Sequence, residues 1–114
     1  METGEETERI LRALAGLEGA ACVCRGWPKQ AAALPCLAVE LAGEKSAGRW
    51  DDQEYMTEVE YYVRMFARTA AELDSLAAGV RSSMEALGYR RVFAWEESSA
   101  QIHQRTERYQ AVIG

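Results

Sequence analysis

From Glu58 to Met65 the chain alternates without a break, with Val59, Tyr61, Val63 and Met65 on one side and Glu58, Glu60, Tyr62 and Arg64 on the other. Successive side chains of an extended backbone point to opposite faces, so this period of two specifies a strand with one apolar and one polar face. The surrounding run, Tyr55 to Ala67, is longer than the usual strand of about five or six residues. It therefore lies centrally in a sheet or extends as a long hairpin with the strand before it. Its apolar face needs a cover, and helices packed on one face of a mostly antiparallel sheet provide it.

Two segments have the required helical period. Ile10, Leu11, Leu14 and Leu17 recur among Glu5, Glu6, Glu8 and Arg12, which predicts an amphipathic helix over residues 3–18, ended near Gly19 and with its acidic residues at the positive end of the helix dipole. Thr69-Ala70-Ala71-Glu72 has capping-box spacing, and Leu73, Leu76, Ala77, Val80, Met84 and Leu87 continue it as a buried stripe that Gly88 closes.

The remaining strands are read from apolar runs between turn residues: Ala21 to Cys24; Leu34 to Leu41, with Leu37, Val39 and Leu41 on one face and Pro35 at the start, where no ladder donor is needed; Tyr89 to Glu96; and His103 to Ile113, with Tyr109, Ala111 and Ile113 together. Glu97 to Ala100 joins the last two. Gly43 to Gln53 has no period and reads as a protruding loop that carries Arg49, Trp50, Asp51 and Asp52. The expected fold is thus one α+β domain over residues 1–114, a mostly antiparallel sheet with two helices packed on one face, in the order α-β-β-β-α-β-β.

Composition narrows the function. The chain has 114 residues, 48% of them hydrophobic and 27% charged, a balance suited to one globular core. No apolar run approaches the roughly 20 residues that span a bilayer, and the acidic start Met1 to Glu6 is unlike a secretory leader, so a cytoplasmic protein without membrane contact is expected. A net charge of −5 with scattered basic residues does not suit a protein that grips phosphates.

Nothing in the sequence recommends catalysis. The one histidine, His103, lies in a polar run without a Gly-x-Ser-x-Gly motif, and Gly16 and Gly19 belong to no phosphate-binding loop. Cys22, Cys24 and Cys36 lack the paired Cys-x-x-Cys knuckles of a zinc site, Cys36 with His103 makes a weak thiol pair, and buried inert thiols are the plainer reading, so neither metal nor cofactor is expected. Glu58 and Glu60 share a strand face with Tyr62 and are read as a solvated face, with the lining of a pore or, with a third acid, a metal enzyme as alternatives. Trp50 and its neighbours Arg49, Asp51 and Asp52 are the interface candidates, because long connections between strands are commonly retained for binding.

Leu34-Pro35-Cys36-Leu37-Ala38-Val39, Val59 to Phe66, Ala71 to Leu76, Met84 to Arg91 and Arg105 to Ile113 together resemble the tail-completion proteins of long-tailed bacteriophages, also called tail terminator or tail-to-head joining proteins. The resemblance covers nearly the whole chain; Cys22-Val23-Cys24, Trp27 and Trp50 have no counterpart in it. It implies a non-enzymatic subunit that forms a six-fold ring with copies of itself, caps the tail tube and offers a docking surface to the head connector. DNA would then pass Glu58, Glu60 and Tyr62 without specific binding, and the protein would move from the host cytoplasm into the virion tail. The competing reading is a regulatory module that binds a small molecule between helix and sheet or at a dimer interface.

Overall fold

The computed structural model describes residues 3–29, 33–50 and 54–114, of which 47–50 and 54–55 are described by backbone alone. Helix α1 spans Thr3–Ala15, β1 Cys22–Arg25, β2 Cys36–Trp50, β3 Glu54–Ala67, α2 Ala70–Ala86, β4 Arg90–Ser98 and β5 His103–Ile113. The strands form a single sheet in the order β1-β2-β3-β5-β4, antiparallel except for the pairing of β1 with β2. The α-β-β-β-α-β-β order and the α+β class agree with the reading of the sequence.

β3 is the spine of the sheet. It pairs with β2 from Glu54 to Phe66 and with β5 from Thr57 to Ala67, and Val59, Tyr61, Val63 and Met65 are fully buried, as the alternation requires. Against them pack Leu37 and Val39 from β2, Tyr109 from β5, Ile10 and Leu14 from α1, and Leu73, Leu76, Val80 and Met84 from α2. Each such aliphatic side chain contributes about 1.5 to 3 kcal/mol on leaving water.

The helix ends follow local chemistry. Thr69 has an extended backbone, and its hydroxyl accepts from the amide of Glu72 at 3.1 Å. The Glu72 carboxylate reaches back to the amide of Arg68, one residue before the cap, at 3.0 Å. Leu87 closes α2 and Gly88 follows at φ +95°, a conformation that favours glycine. α1 stops at Ala15 rather than residue 18 because Gly16 and Leu17 bond back three residues, to Ala13 and Leu14, which tightens the last turn.

The expected loop from Gly43 to Gln53 is a strand up to Trp50. Pairing with β3 dominates local composition there, and register shifts between Leu41 and Gly43 and between Ser46 and Gly48 each reverse the side-chain alternation, which hides the strand in the sequence. The result is a long β2–β3 arm on a molecule measuring 53 × 22 × 22 Å.

Two buried carboxylates anchor hydrogen-bond networks, Glu6 between α1 and Tyr89 beside the sheet, and Glu107 within the sheet between β5 and β4. Glu6, fully buried, accepts from Arg9 Nε at 2.7 Å and Nη2 at 2.8 Å and from the Tyr89 hydroxyl at 2.5 Å, and Arg9 also donates to the Leu87 carbonyl at 3.2 Å. Glu107 accepts from the Tyr109 hydroxyl at 2.5 Å, Arg105 at 2.7 Å and Arg91 at 3.1 Å. Arg9's hydrogen bonds outweigh burial and hold the Glu6 carboxyl below the usual carboxylate value, while burial pushes the Tyr89 and Tyr109 phenols up.

Two predictions follow the packing. Thr69→Ala costs about 1 kcal/mol by urea denaturation, because one helix amide loses its acceptor; an unchanged midpoint would place the start of α2 elsewhere. Glu6→Gln costs about 1 to 3 kcal/mol near neutral pH, the usual value of hydrogen bonds to a charged group. The Glu6 carboxyl is depressed in the fold, so its contribution is complete above the ordinary value of 4.5 and fades as pH falls through the folded-state value. The stability gap between wild type and Glu6→Gln therefore narrows in acid, and a gap of constant size from pH 7 to pH 3 refutes that role for Glu6.

Candidate functional site

Both helices lie on one face of the sheet, and the opposite face carries the residues left over. The register aligns them in rows across the strands: Cys36, Phe66, Gln104 and Glu97; Ala38, Arg64, Thr106 and Trp95; Glu40, Tyr62, Arg108 and Phe93; then Gly43, Glu60, Gln110 and Arg90. A register shift between Arg91 and Phe93 brings Phe93 onto this face beside Trp95.

Arginines and aromatic rings interleave here. The Arg64 guanidinium lies 4.1 Å from the Trp27 ring centroid and 5.0 Å from that of Tyr62, and its Nη1 donates to Glu40 at 3.0 Å. Tyr62 meets Trp95 edge-on at 6.0 Å, and Trp95 meets Phe93 at 5.5 Å. Arg108 stands 5.9 Å from the Phe93 centroid and 3.7 Å from the Glu60 carboxylate, too far for a hydrogen bond. Trp27, Phe93 and Val112 are each more than half exposed, at 58%, 55% and 53%. Large apolar groups left in water on one face are what an association surface presents.

The sequence-predicted residues fall into three groups. Glu58, Glu60 and Tyr62 do share the helix-free face, but Lys45 lies 3.4 Å from Glu58 and Arg108 beside Glu60, so the face is charge-paired rather than an acidic wall. Asp51 and Asp52, and the side chains of Arg49 and Trp50, lie outside the described residues; the backbone of Arg49 and Trp50 belongs to the tip of β2. Cys36 and His103 are kept apart, since Cys36 shares a row with Gln104 and the adjacent His103 points to the other face, where its Nδ1 lies 3.3 Å from the Ser98 hydroxyl. Sequence reading missed Trp27, Phe93, Trp95 and Arg108 as one group. Trp95 and Arg108 follow the alternation of their strands, whereas Phe93 depends on a bulge and Trp27 on a turn.

Cys22, Cys24 and Cys36, treated in the sequence as inert, come together: all three sulfur atoms lie within 4.8 Å of one another. Parallel pairing sets Cys22 beside Cys36 and Cys24 beside Ala38, a juxtaposition that spacing along the chain does not reveal. Burial raises the Cys24 thiol and pushes Cys36 up to about 12.

The chain shares its fold with one in a structure described as the virion of a native gene transfer agent particle, at 20% sequence identity over 93% of this chain and 90% of that one, with a TM-score of 0.54. No protein-family model matches the sequence, and no curated protein matches it significantly.

Arg64 ties this face together, with a side chain only 10% exposed. Arg64→Met keeps the aliphatic stem and removes the charge over two rings, so it costs about 1 to 2 kcal/mol in chemical denaturation. No loss of stability would mean that the stacking is incidental.

Proposed function

We propose that the protein is a non-catalytic structural subunit of a phage-like virion, and that it closes the tail tube as a ring, six subunits by the resemblance above, and joins it to the head connector. The observation that carries this reading is the helix-free sheet face. It is wide, rich in aromatic and arginine side chains, charge-paired, and left in water by the fold of a single chain. Tyr, Trp, Phe and Arg are the residues enriched where proteins meet, because they bury large area at little entropic cost and still offer hydrogen bonds. The fold likeness to a chain of a gene transfer agent particle supports the virion setting.

The β2–β3 arm supports the same reading. Beyond Val39 the outer edge of β2 pairs with no strand among the described residues. An exposed edge is a template for another chain, and a ring of identical subunits closes through two different patches on each copy. The arm edge and the aromatic face supply two such patches. Charge pairing on the face suits a protein contact better than a wall that repels DNA, so the residues Glu58, Glu60 and Tyr62 are assigned to the contact. A small-molecule module has less support, because a groove such as the one between Gly43, Glu44, Lys45, Glu58 and Glu60 is open and charged rather than apolar and enclosed.

Native mass measurement and electron microscopy test the reading, with closed rings expected, alone or on added tail tubes. A protein that stays monomeric or dimeric under both conditions overturns it. Phe93→Asp separates assembly from folding: stability changes by no more than about 0.5 kcal/mol, as for exposed positions generally, while subunit association weakens by roughly 30-fold or more, the effect of losing an anchor. Normal association of the variant would remove this face from the contact.

A further inference from the structure

We propose that Cys22, Cys24 and Cys36 form a three-thiolate site for one soft, closed-shell metal ion, Cu(I) or Zn(II). The geometry comes from the backbone. Two neighbouring parallel strands place Cys22 and Cys36 side by side on the helix-free face, and Cys24, two residues on, points the same way. The sulfur atoms lie within 4.8 Å of one another. Metal–sulfur bonds of about 2.3 Å require sulfurs roughly 3.8 to 4.0 Å apart in a tetrahedral or trigonal arrangement, so a small change of side-chain torsions closes the set.

The surroundings suit a soft ion. Leu34, Ala38 and Phe66 pack around the sulfurs, and among the described residues no carboxylate or imidazole joins the group. Thiolates in an apolar shell select Cu(I) and zinc over magnesium or calcium, which demand oxygen. Cys36 is fully buried, but Cys22 and Cys24 are half-exposed, which leaves an entry path. Three thiolates fill a trigonal shell for Cu(I), whereas zinc keeps a fourth position for water. Each sulfur gives up its proton to solvent as the ion binds, and Arg64, in the same row as Cys24 and Ala38, is the nearest cation by register on this face. Bound metal would fasten the four-residue edge strand β1 to β2.

The experiment titrates reduced protein, without oxygen, with Cu(I) and separately with Zn(II), and follows thiolate-to-metal absorption, native mass, proton release and melting temperature. One ion per chain, release of up to three protons and a raised melting temperature are expected with at least one of the two ions. Cys22→Ser and Cys24→Ser, at half-exposed positions and verified as folded by circular dichroism, each weaken binding by more than about 100-fold, beyond the loss expected for a merely supporting group. Failure of both ions to bind, or binding undiminished in either folded variant, overturns the site. Ring assembly is a separate measurement, so this outcome and that of the proposed function remain distinguishable.

Discussion

Among the described residues, one sheet of five strands has two helices to cover it, and both lie on the same face. β3 sits third in the order, and its apolar side can face only one way, so both helices collect there. Everything on the other side is then obliged to tolerate water or find a partner. That single asymmetry explains why arginine, glutamate and aromatic residues alternate with the core on β3 and recur across β5 and β4. It also explains why the helix side can bury Glu6 and Glu107. Each carboxylate has an arginine and a phenol within hydrogen-bond reach, which offsets the desolvation that an isolated charge would suffer.

The sequence revealed what depends on short-range period. The strand through Val63, the stripe from Leu73 to Met84, the Thr69 cap and the closing strand at His103–Ile113 all follow from neighbours along the chain, and all are where the periodicity places them. What was not legible depends on pairing at a distance. The arm from Gly43 to Trp50 is a strand because β3 hydrogen-bonds to it, while two register shifts erase its alternation. Glu6 reads as a dipole-compensating residue of the first turn. Its burial appears only once Tyr89, just before β4, arrives to share it. The spacing of Glu6 and Thr7 from Ile10 and Leu14 did contain a hint, since all four lie on one helical stripe.

The cysteines illustrate the same limit from the side of chemistry. A Cys-x-Cys pair is uninformative by itself, because two thiols on one strand face leave a metal ion half-coordinated. The third sulfur comes from a parallel neighbour whose register no local signal sets. Cys22, Cys24 and Cys36 therefore became a group only through topology, just as Trp27, Arg64, Tyr62 and Phe93 did.

These two groups adjoin on the same face, and this bears on how an interface there would be built. Trp27 follows β1 through a turn in which the Gly26 amide donates to the Val39 carbonyl at 2.8 Å, and its ring rests on Arg64 and Phe66. The position of Trp27, the most exposed large apolar side chain described, thus depends on how firmly the short strand β1 is held to β2. An anchor binds well when its conformation is fixed before contact, because the ordering cost has already been met. Fastening β1 through the cysteines would pre-organise Trp27 and the Arg64 stack beside it, whereas a loose β1 would leave that end of the face adaptable. The Arg64 guanidinium is also held by Glu40 on β2 and by the Tyr62 ring on β3, and these two contacts do not depend on β1. A loose β1 would therefore act on this face from the edge opposite Trp95 in the row.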